Sequence, residues 1–446
     1  MTKENDARYV AVRLLIKTFR SGSYSNIQLG SGLGNSSLDE RGKRLCSAIY
    51  YGVIERRITL DHIISGLSSR PLGKLDDTVL NILRSGIYQI LCMDNVPDSA
   101  AVNESVALAK AMGKTSAAGM VNAVLRSFIR SGKDIRLPGE PMKDMEVKYS
   151  APAWLIEGLI RDYGMENAGD LLSDSLGSPP VCVRRNPLRC TEEKFLSSLG
   201  CEAERVDVLP LGYRLSGAGD ITATEGFRKG YFHVQDIASQ LCAQAVAPTE
   251  EDTVLDICAA PGGKTFTMAE LMNGKGRIYA FDLHEKRVKL IRDGAARLGL
   301  DNITAAAGNA TVFNPDLPQF TKILCDVPCS GIGAIRRKPE IKYKDPADFA
   351  GLPEIQYSIA LNAVRYLAPG GELVYSTCTL RKEENEQVVQ RLLESCPGLE
   401  PAELPGPLGG RFGSSAAIFP AYFGSDGFFI AKLRAKCAAE NDSSGR

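Results

Sequence analysis

Histidine is scarce in this chain. There are three, His62, His233 and His284, and the twelve cysteines form no CxxC pair and no cluster with histidine. Structural zinc sites are built from such pairs and clusters, so no metal centre is expected. Long apolar runs are also missing. None approaches the ~18–20 residues that a membrane-spanning helix requires, so no membrane association is expected. The first ten residues, MTKENDARYV, are polar and charged where a signal peptide carries its apolar core. Free cysteines persist in a reducing compartment, and a cytoplasmic protein is the expectation. A net charge is absent too: 53 lysines and arginines balance 53 aspartates and glutamates, an unpromising total for a nucleic-acid binder. The distribution says more. Residues 1–150 hold 21 basic against 15 acidic side chains, leaving the remainder with the opposite excess. A basic first third on a neutral chain suggests a segregated footprint for a polyanion; the plainer reading is a chance excess of solvated lysines and arginines.

What is present is ordinary globular material, 44% hydrophobic and 24% charged over 446 residues. That length exceeds one core, so several domains are expected. Apolar residues recur at helical spacing over 7–20, 39–54, 58–67 and 76–93. They do so again over 97–113 (Val102, Val106, Ala109, Met112) and 116–131 (Met120, Val121, Val124, Leu125, Phe128). Asp98 or Ser99 can cap the fifth of these helices and Gly113 can end it. Residues 1–135 therefore read as an all-α bundle. Pro138, Gly139 and Pro141 mark a boundary. Residues 145–230 mix helix (153–163, 165–175) with short strands such as 181–184, a small α+β domain. From 231 to 436 strands and helices alternate, with strands at 253–257, 277–282, 303–307, 322–327 and 371–376. This is the pattern of a parallel, doubly wound α/β sheet of Rossmann-like type. A pair near 417–419 and 427–433 could add an antiparallel edge, and 437–446 reads as a loose tail.

The first of those strands runs into Cys258, Ala259, Ala260, Pro261, Gly262, Gly263 and Lys264. The two glycines let backbone approach a ligand, and the helix that follows offers unpaired N–H groups. Asp282, at the end of the next strand, is placed to accept hydrogen bonds from ribose hydroxyls. The glycine pattern fits neither the dinucleotide fingerprint nor the P-loop. Two later strands end in cysteine: Asp326, Pro328 and Cys329 follow one, Cys378 the other. Both thiols would emerge at the ligand-binding edge. Isolated cysteines are mostly small buried residues, and Cys258 and Cys325 read that way. A pair at a cofactor edge instead suits covalent catalysis on a pyrimidine. A thiolate adding to carbon 6 of cytosine makes carbon 5 nucleophilic towards a sulfonium methyl donor. Asp326 could hydrogen-bond or protonate the base edge, and the base must first leave any stack. Arg336, Arg337 and Lys338, with Lys342 and Lys344 nearby, suit phosphate contacts as a basic loop; a solvated loop is the alternative.

These residues together resemble the RNA 5-methylcytosine methyltransferases of the Nol1/Nop2/Sun group. The resemblance is carried by Pro328-Cys329-Ser330 with Thr377-Cys378 and by the loop from Cys258 to Thr265. It extends to Val234-Gln235-Asp236, Asp282, Asp326, Pro369-Gly370-Gly371, Glu383-Glu384-Asn385-Glu386 and Asp426-Gly427-Phe428-Phe429. Pro152-Ala153-Trp154 and Arg184 with Asn186 resemble the family's RNA-recognition segment. Ala101-Val102-Asn103-Glu104 and Val121-Asn122-Ala123-Val124-Leu125-Arg126 resemble a NusB-type RNA-binding domain. A NusB-like domain ahead of this core resembles the family's bacterial branch. That implies S-adenosylmethionine as cofactor and a cytosine of small-subunit ribosomal RNA as substrate, with a monomer expected. It also implies Cys378 as nucleophile, Cys329 as the group assisting release, and cofactor contacts from 258–264, Asp282 and Asp326. Asn309 stands where the family usually has an acidic residue, a cofactor contact that asparagine can still make. A transfer RNA methyltransferase and a non-catalytic assembly factor remain open alternatives.

Overall fold

The computed structural model describes residues 5–21 and 25–437; most of the expected tail, 438–446, lies outside the described residues. The chain divides into two compact units. The first runs through Gly177 and takes in Ile335–Lys344; the second comprises 178–334 and the residues from Asp345 onward.

The first unit is helical. Its helices Ala7–Ser21, Glu40–Glu55, Arg57–Leu67, Asp77–Cys92, Asp98–Ala111 and Ala118–Arg130 follow the apolar periodicity closely. Helix Ala118–Arg130 shows why: Val121, Val124, Leu125 and Phe128 fall on one face and are all buried. Each such side chain contributes about 1.5–3 kcal/mol on burial. Asp39 and Asp76 cap two helices by accepting from Gly42 N (2.7 Å) and Thr78 N (2.9 Å). The expected cap at Asp98 or Ser99 is not made. Pro97 holds the cap position and Asp98 is already helical. Gly113 does turn the chain, with φ +77°. A further helix, Ser25–Gly34, has no counterpart in the periodicity.

The boundary expected at 136–144 falls inside this unit. Helix Pro141–Tyr149 is tied back to helix Arg57–Leu67 by Thr59 Oγ1 donating to Val147 O (2.6 Å) and by Ile58 N donating to Ser150 Oγ (3.0 Å). Helix Ala153–Asp174 packs within the first compact unit, and the strands of the α+β segment begin at Val181.

The second unit contains two sheets. The smaller is antiparallel: β1 (Val181–Arg185), β2 (Glu202–Val206), β3 (Leu209–Ser216) and β4 (Phe232–Val234), in the order β2-β3-β1-β4. Phe195, Tyr213 and Phe232 fill its core, with ring centroids 4.8 and 5.7 Å apart. The larger sheet is formed by β5 (Thr253–Asp256), β6 (Arg277–Asp282), β7 (Ile303–Ala307), β8 (Phe320–Asp326), β9 (Leu367–Thr377), β10 (Leu399–Pro401), β11 (Ser415–Ile418) and β12 (Phe428–Ala435). The order is β10-β12-β9-β8-β5-β6-β7, parallel from β9 to β7. The late pair does not simply cap an edge: β12 runs antiparallel to β9 and carries β10 and β11 on its other side. From β5 the chain continues to β6 on one side, and from β8 to β9 on the other. That reversal opens the crevice at the carboxyl ends of β5 and β8, where a doubly wound sheet takes its ligand.

Candidate active site

The loop after β5 is shaped by its small residues. Ala259 N donates to Phe281 O (2.7 Å) and Gly262 N to Ala259 O (2.8 Å), which folds 258–262 back over the strand ends. Ala259 and Ala260 are buried, Pro261 exposed. Gly262 has φ +110°, and a Cβ there would drive into the Phe266 ring, so only glycine fits. Helix Gly263–Leu271 begins immediately after it. Asp282 is buried at the end of β6, within 3.1 Å of Arg287 Nη1, while Arg287 Nη2 donates to Ala260 O (2.7 Å). Arg287 thus ties the loop to the carboxylate, a role with no sequence signature beyond a basic residue on a helix.

Lys264 and Asp326 form an ion pair of 2.7 Å, and Ser376 Oγ donates to the second Asp326 oxygen (2.9 Å). Burial presses the Lys264 ammonium down, but the Asp326 carboxylate outweighs it and the lysine stays charged, with its pKa raised. Burial pushes Asp256, below this pair, up to about 7, even though Thr265 Oγ1 donates to it (2.7 Å). Asp326 and Ser376 are partners in the β8–β9 register. The cysteines beyond them meet: Cys329 Sγ and Cys378 Sγ are 3.2 Å apart. The hydrogen bond with Cys378 and burial push the Cys329 thiol well above its ordinary range. Gly333 N donates to Cys378 O (3.0 Å) and Gly427 N to Gly333 O (2.8 Å), which links the two cysteine turns to the start of β12. Cys258 and Cys325 lie among apolar side chains, and burial raises both thiols, as expected of core cysteines.

Other expected residues behave differently. Asn309 is exposed, and its Oδ1 accepts from Thr311 N (3.0 Å) and Thr311 Oγ1 (2.8 Å), a local turn that occupies the carbonyl. It lines a cavity of about 290 Å³ with Ala310, Phe313, Asn362 and Tyr366. Arg184 and Asn186 are not offered to a ligand. Arg184 is buried in an ion pair with Glu270 (2.7 Å), and Asn186 Nδ2 donates to Leu298 O (3.0 Å). The basic run is not a solvated loop. Ile335–Lys344 is part of the first unit, where Arg336 pairs with Asp174 (3.0 Å) and Lys342 Nζ donates to Glu55 O (2.9 Å). Burial pushes Lys342 down to about 7. Arg337 is half-buried and Lys338 exposed.

Comparison with known proteins agrees with this architecture. The family model described as 16S rRNA methyltransferase RsmB/F matches residues 243–434, the NusB family matches 5–130, and an RsmF/B-like ferredoxin-like domain matches 151–222. The "probable ribosomal RNA small subunit methyltransferase B" of Bacillus subtilis is 36% identical, over 97% of this chain and 100% of that relative. The ribosomal RNA small subunit methyltransferase B of Proteus mirabilis is 31% identical, over 90% and 92%. Among solved structures, NSun6 from Pyrococcus horikoshii with SFG superposes with a TM-score of 0.57 at 25% identity, covering 64% of this chain and 98% of that one. With a NusB domain, a ferredoxin-like domain and the cysteine-bearing catalytic sheet in one chain, the protein belongs to the RsmB/F family of 16S rRNA methyltransferases.

Proposed function

We propose that the protein methylates carbon 5 of a cytosine in small-subunit ribosomal RNA, with S-adenosylmethionine as donor and Cys378 as nucleophile. The observation that carries this reading is the 3.2 Å approach of Cys329 and Cys378 at the carboxyl ends of adjacent strands, one strand from the glycine loop. The loop suits the donor. Backbone at Gly262 and Gly263 is bare, Asp282 stands at the ribose position of such sheets, and a relative of similar fold was solved with a donor analogue. Cys258–Lys264, Asp282 and Asp326 would hold it, with Asn309 at its far end. When bound, S-adenosylmethionine supplies an electrophilic methyl group.

The chain's own residues supply the rest. Cys378, as thiolate, adds to carbon 6 of the flipped cytosine, and the electron pair released from the ring double bond makes carbon 5 nucleophilic. Asp326, held by Lys264 and Ser376, accepts a hydrogen bond from the exocyclic amine of the base and orients the ring for attack. After methyl transfer a base removes the carbon 5 proton, the carbon–sulfur bond breaks and Cys378 leaves as thiolate. Cys329, in hydrogen-bond contact with that sulfur, assists this step. Lys338, which is exposed, is the member of the basic run best placed for phosphate contacts.

The test is incubation with unmodified small-subunit ribosomal RNA and labelled donor, followed by mapping of 5-methylcytosine by mass spectrometry. One labelled cytosine is expected; label on transfer RNA alone would overturn the substrate assignment. Cys329→Ala should leave a protein–RNA adduct that survives denaturing electrophoresis, and a variant turning over without adduct would remove Cys329 from release. Gly262→Ala should weaken donor binding by about 5- to 150-fold by calorimetry, since strain at this φ costs about 1–3 kcal/mol. Unchanged affinity would exclude the 258–263 turn as the donor site.

A further inference from the structure

A buried carboxylate stands behind the Cys329 turn. Glu384 is fully buried, at 0% exposure. Its Oε2 accepts from Ser330 N (2.8 Å) and from Gln356 Nε2 (2.9 Å), and the same Gln356 nitrogen donates to Pro328 O (2.9 Å). Both flanks of Cys329 are thereby fastened to one side chain and its partner. Asn385, the next residue, fastens the opposite turn: Nδ2 donates to Thr379 O (3.0 Å) and Oδ1 accepts from Thr377 Oγ1 (2.6 Å). Ser330 Oγ and Thr379 Oγ1 join the two turns at 2.8 Å.

The clasp is symmetric in its hydrogen bonds but not in its charge. Asn385 is neutral, whereas Glu384 brings a carboxylate to the Cys329 side. Cys329 also feels Cys378, Asp326 and Tyr375, none of which carries positive charge. Two cations act on its neighbours. Lys264 acts on Cys378, and Arg381 Nη1 is 3.3 Å from the outer oxygen of Glu384. We propose that Glu384 is a positioning residue that divides the labour between the two cysteines. It anchors the 328–330 turn, and its charge keeps Cys329 as the neutral thiol. Cys329 then donates its S–H to the neighbouring sulfur, and Cys378 is the one that ionises. Two adjacent thiols cannot both ionise cheaply, so a fixed charge on one side decides which does. The upward shift of the Cys329 thiol accords with this. The inference rests on the reading of Cys378 as nucleophile.

The experiment measures the pH dependence of alkylation at each cysteine in the full-length protein, with limiting iodoacetamide and peptide mass spectrometry. In the unchanged protein Cys378 should react at lower pH than Cys329; the reverse order would defeat the nucleophile reading itself. Glu384→Gln should move the Cys329 profile down by about one pH unit or more, narrowing the gap, while Glu384→Asp, which keeps the charge, should restore most of it. Arg381→Gln, at a partly exposed position, should move Cys329 the other way by unmasking Glu384, and it serves if Glu384→Gln fails to fold. Profiles unchanged in both Glu384→Gln and Arg381→Gln, or in Arg381→Gln where the first does not fold, would overturn the proposal. A role confined to holding the fold would lower melting temperatures without moving the two profiles in opposite directions.

Discussion

Replacing Cys378 with alanine should lower kcat/KM for ribosomal RNA by at least ~10³-fold, about 4 kcal/mol in activation free energy. The argument is chemical. Without an adduct at carbon 6, carbon 5 of cytosine has little nucleophilicity, and no other thiol lies where Cys378 does. Cys329 is 3.2 Å away, but its turn is fastened by Glu384 and Gln356 and its thiol is held protonated. Serine at 378 should not rescue, because a hydroxyl ionises far less readily than a thiol. The fold should survive. Cys378 is only partly buried, and its carbonyl accepts from Gly333 N, a bond that alanine keeps. Donor binding by calorimetry and the melting temperature should therefore stay close to those of the parent. Turnover within tenfold of the parent would mean that another group attacks the base.

The Arg184→Met variant should lose about 3–5 kcal/mol of stability in denaturant melts. Arg184 and Glu270 are 1% and 0% exposed and pair at 2.7 Å, so removing the guanidinium leaves a carboxylate charged in the core. His233 Nδ1 lies 3.4 Å from the second Glu270 oxygen. The double variant Arg184→Met/Glu270→Leu should recover most of the loss, because well-packed apolar side chains can replace a buried ion pair. A single variant as stable as the parent would show that water or His233 already compensates Glu270. The pair joins β1 of the small sheet to helix Gly263–Leu271, which follows the proposed donor loop, so the single variant should also bind the donor more weakly.

Much of this was legible from residue order. The 3.6-residue apolar period located six helices of the first unit, because each buries one face in a shared core. The five parallel strands of the catalytic sheet were legible as short apolar runs between helices. The helix Ser25–Gly34 was not, since three of its ten residues are glycines, which add no apolar side chain to a period. Arg184 resembled part of an RNA-recognition segment, and the basic residues near 336–344 suited phosphate contacts, because sequence shows charge and not burial. Folding places Arg184 against Glu270 and sinks Lys342 beside Glu55. Glu384 and Gln356 were equally hidden in function: the former stood in a recognisable motif without a role, the latter in an unremarkable helix.

The sequence by itself determined the elements, their order, the glycine loop and the presence of two cysteines past strand ends, because these depend on local propensity and on periods of two and 3.6 residues. Tertiary structure alone decided which charges are buried in ion pairs and how closely the two thiols approach. Those depend on distances between residues dozens to hundreds of positions apart: 49 between the two cysteines, 54 between Ser330 and Glu384, 62 between Lys264 and Asp326. The reason is electrostatic. A side chain's charge state is set by desolvation and by neighbours within a few ångströms, and neither exists until the chain has folded.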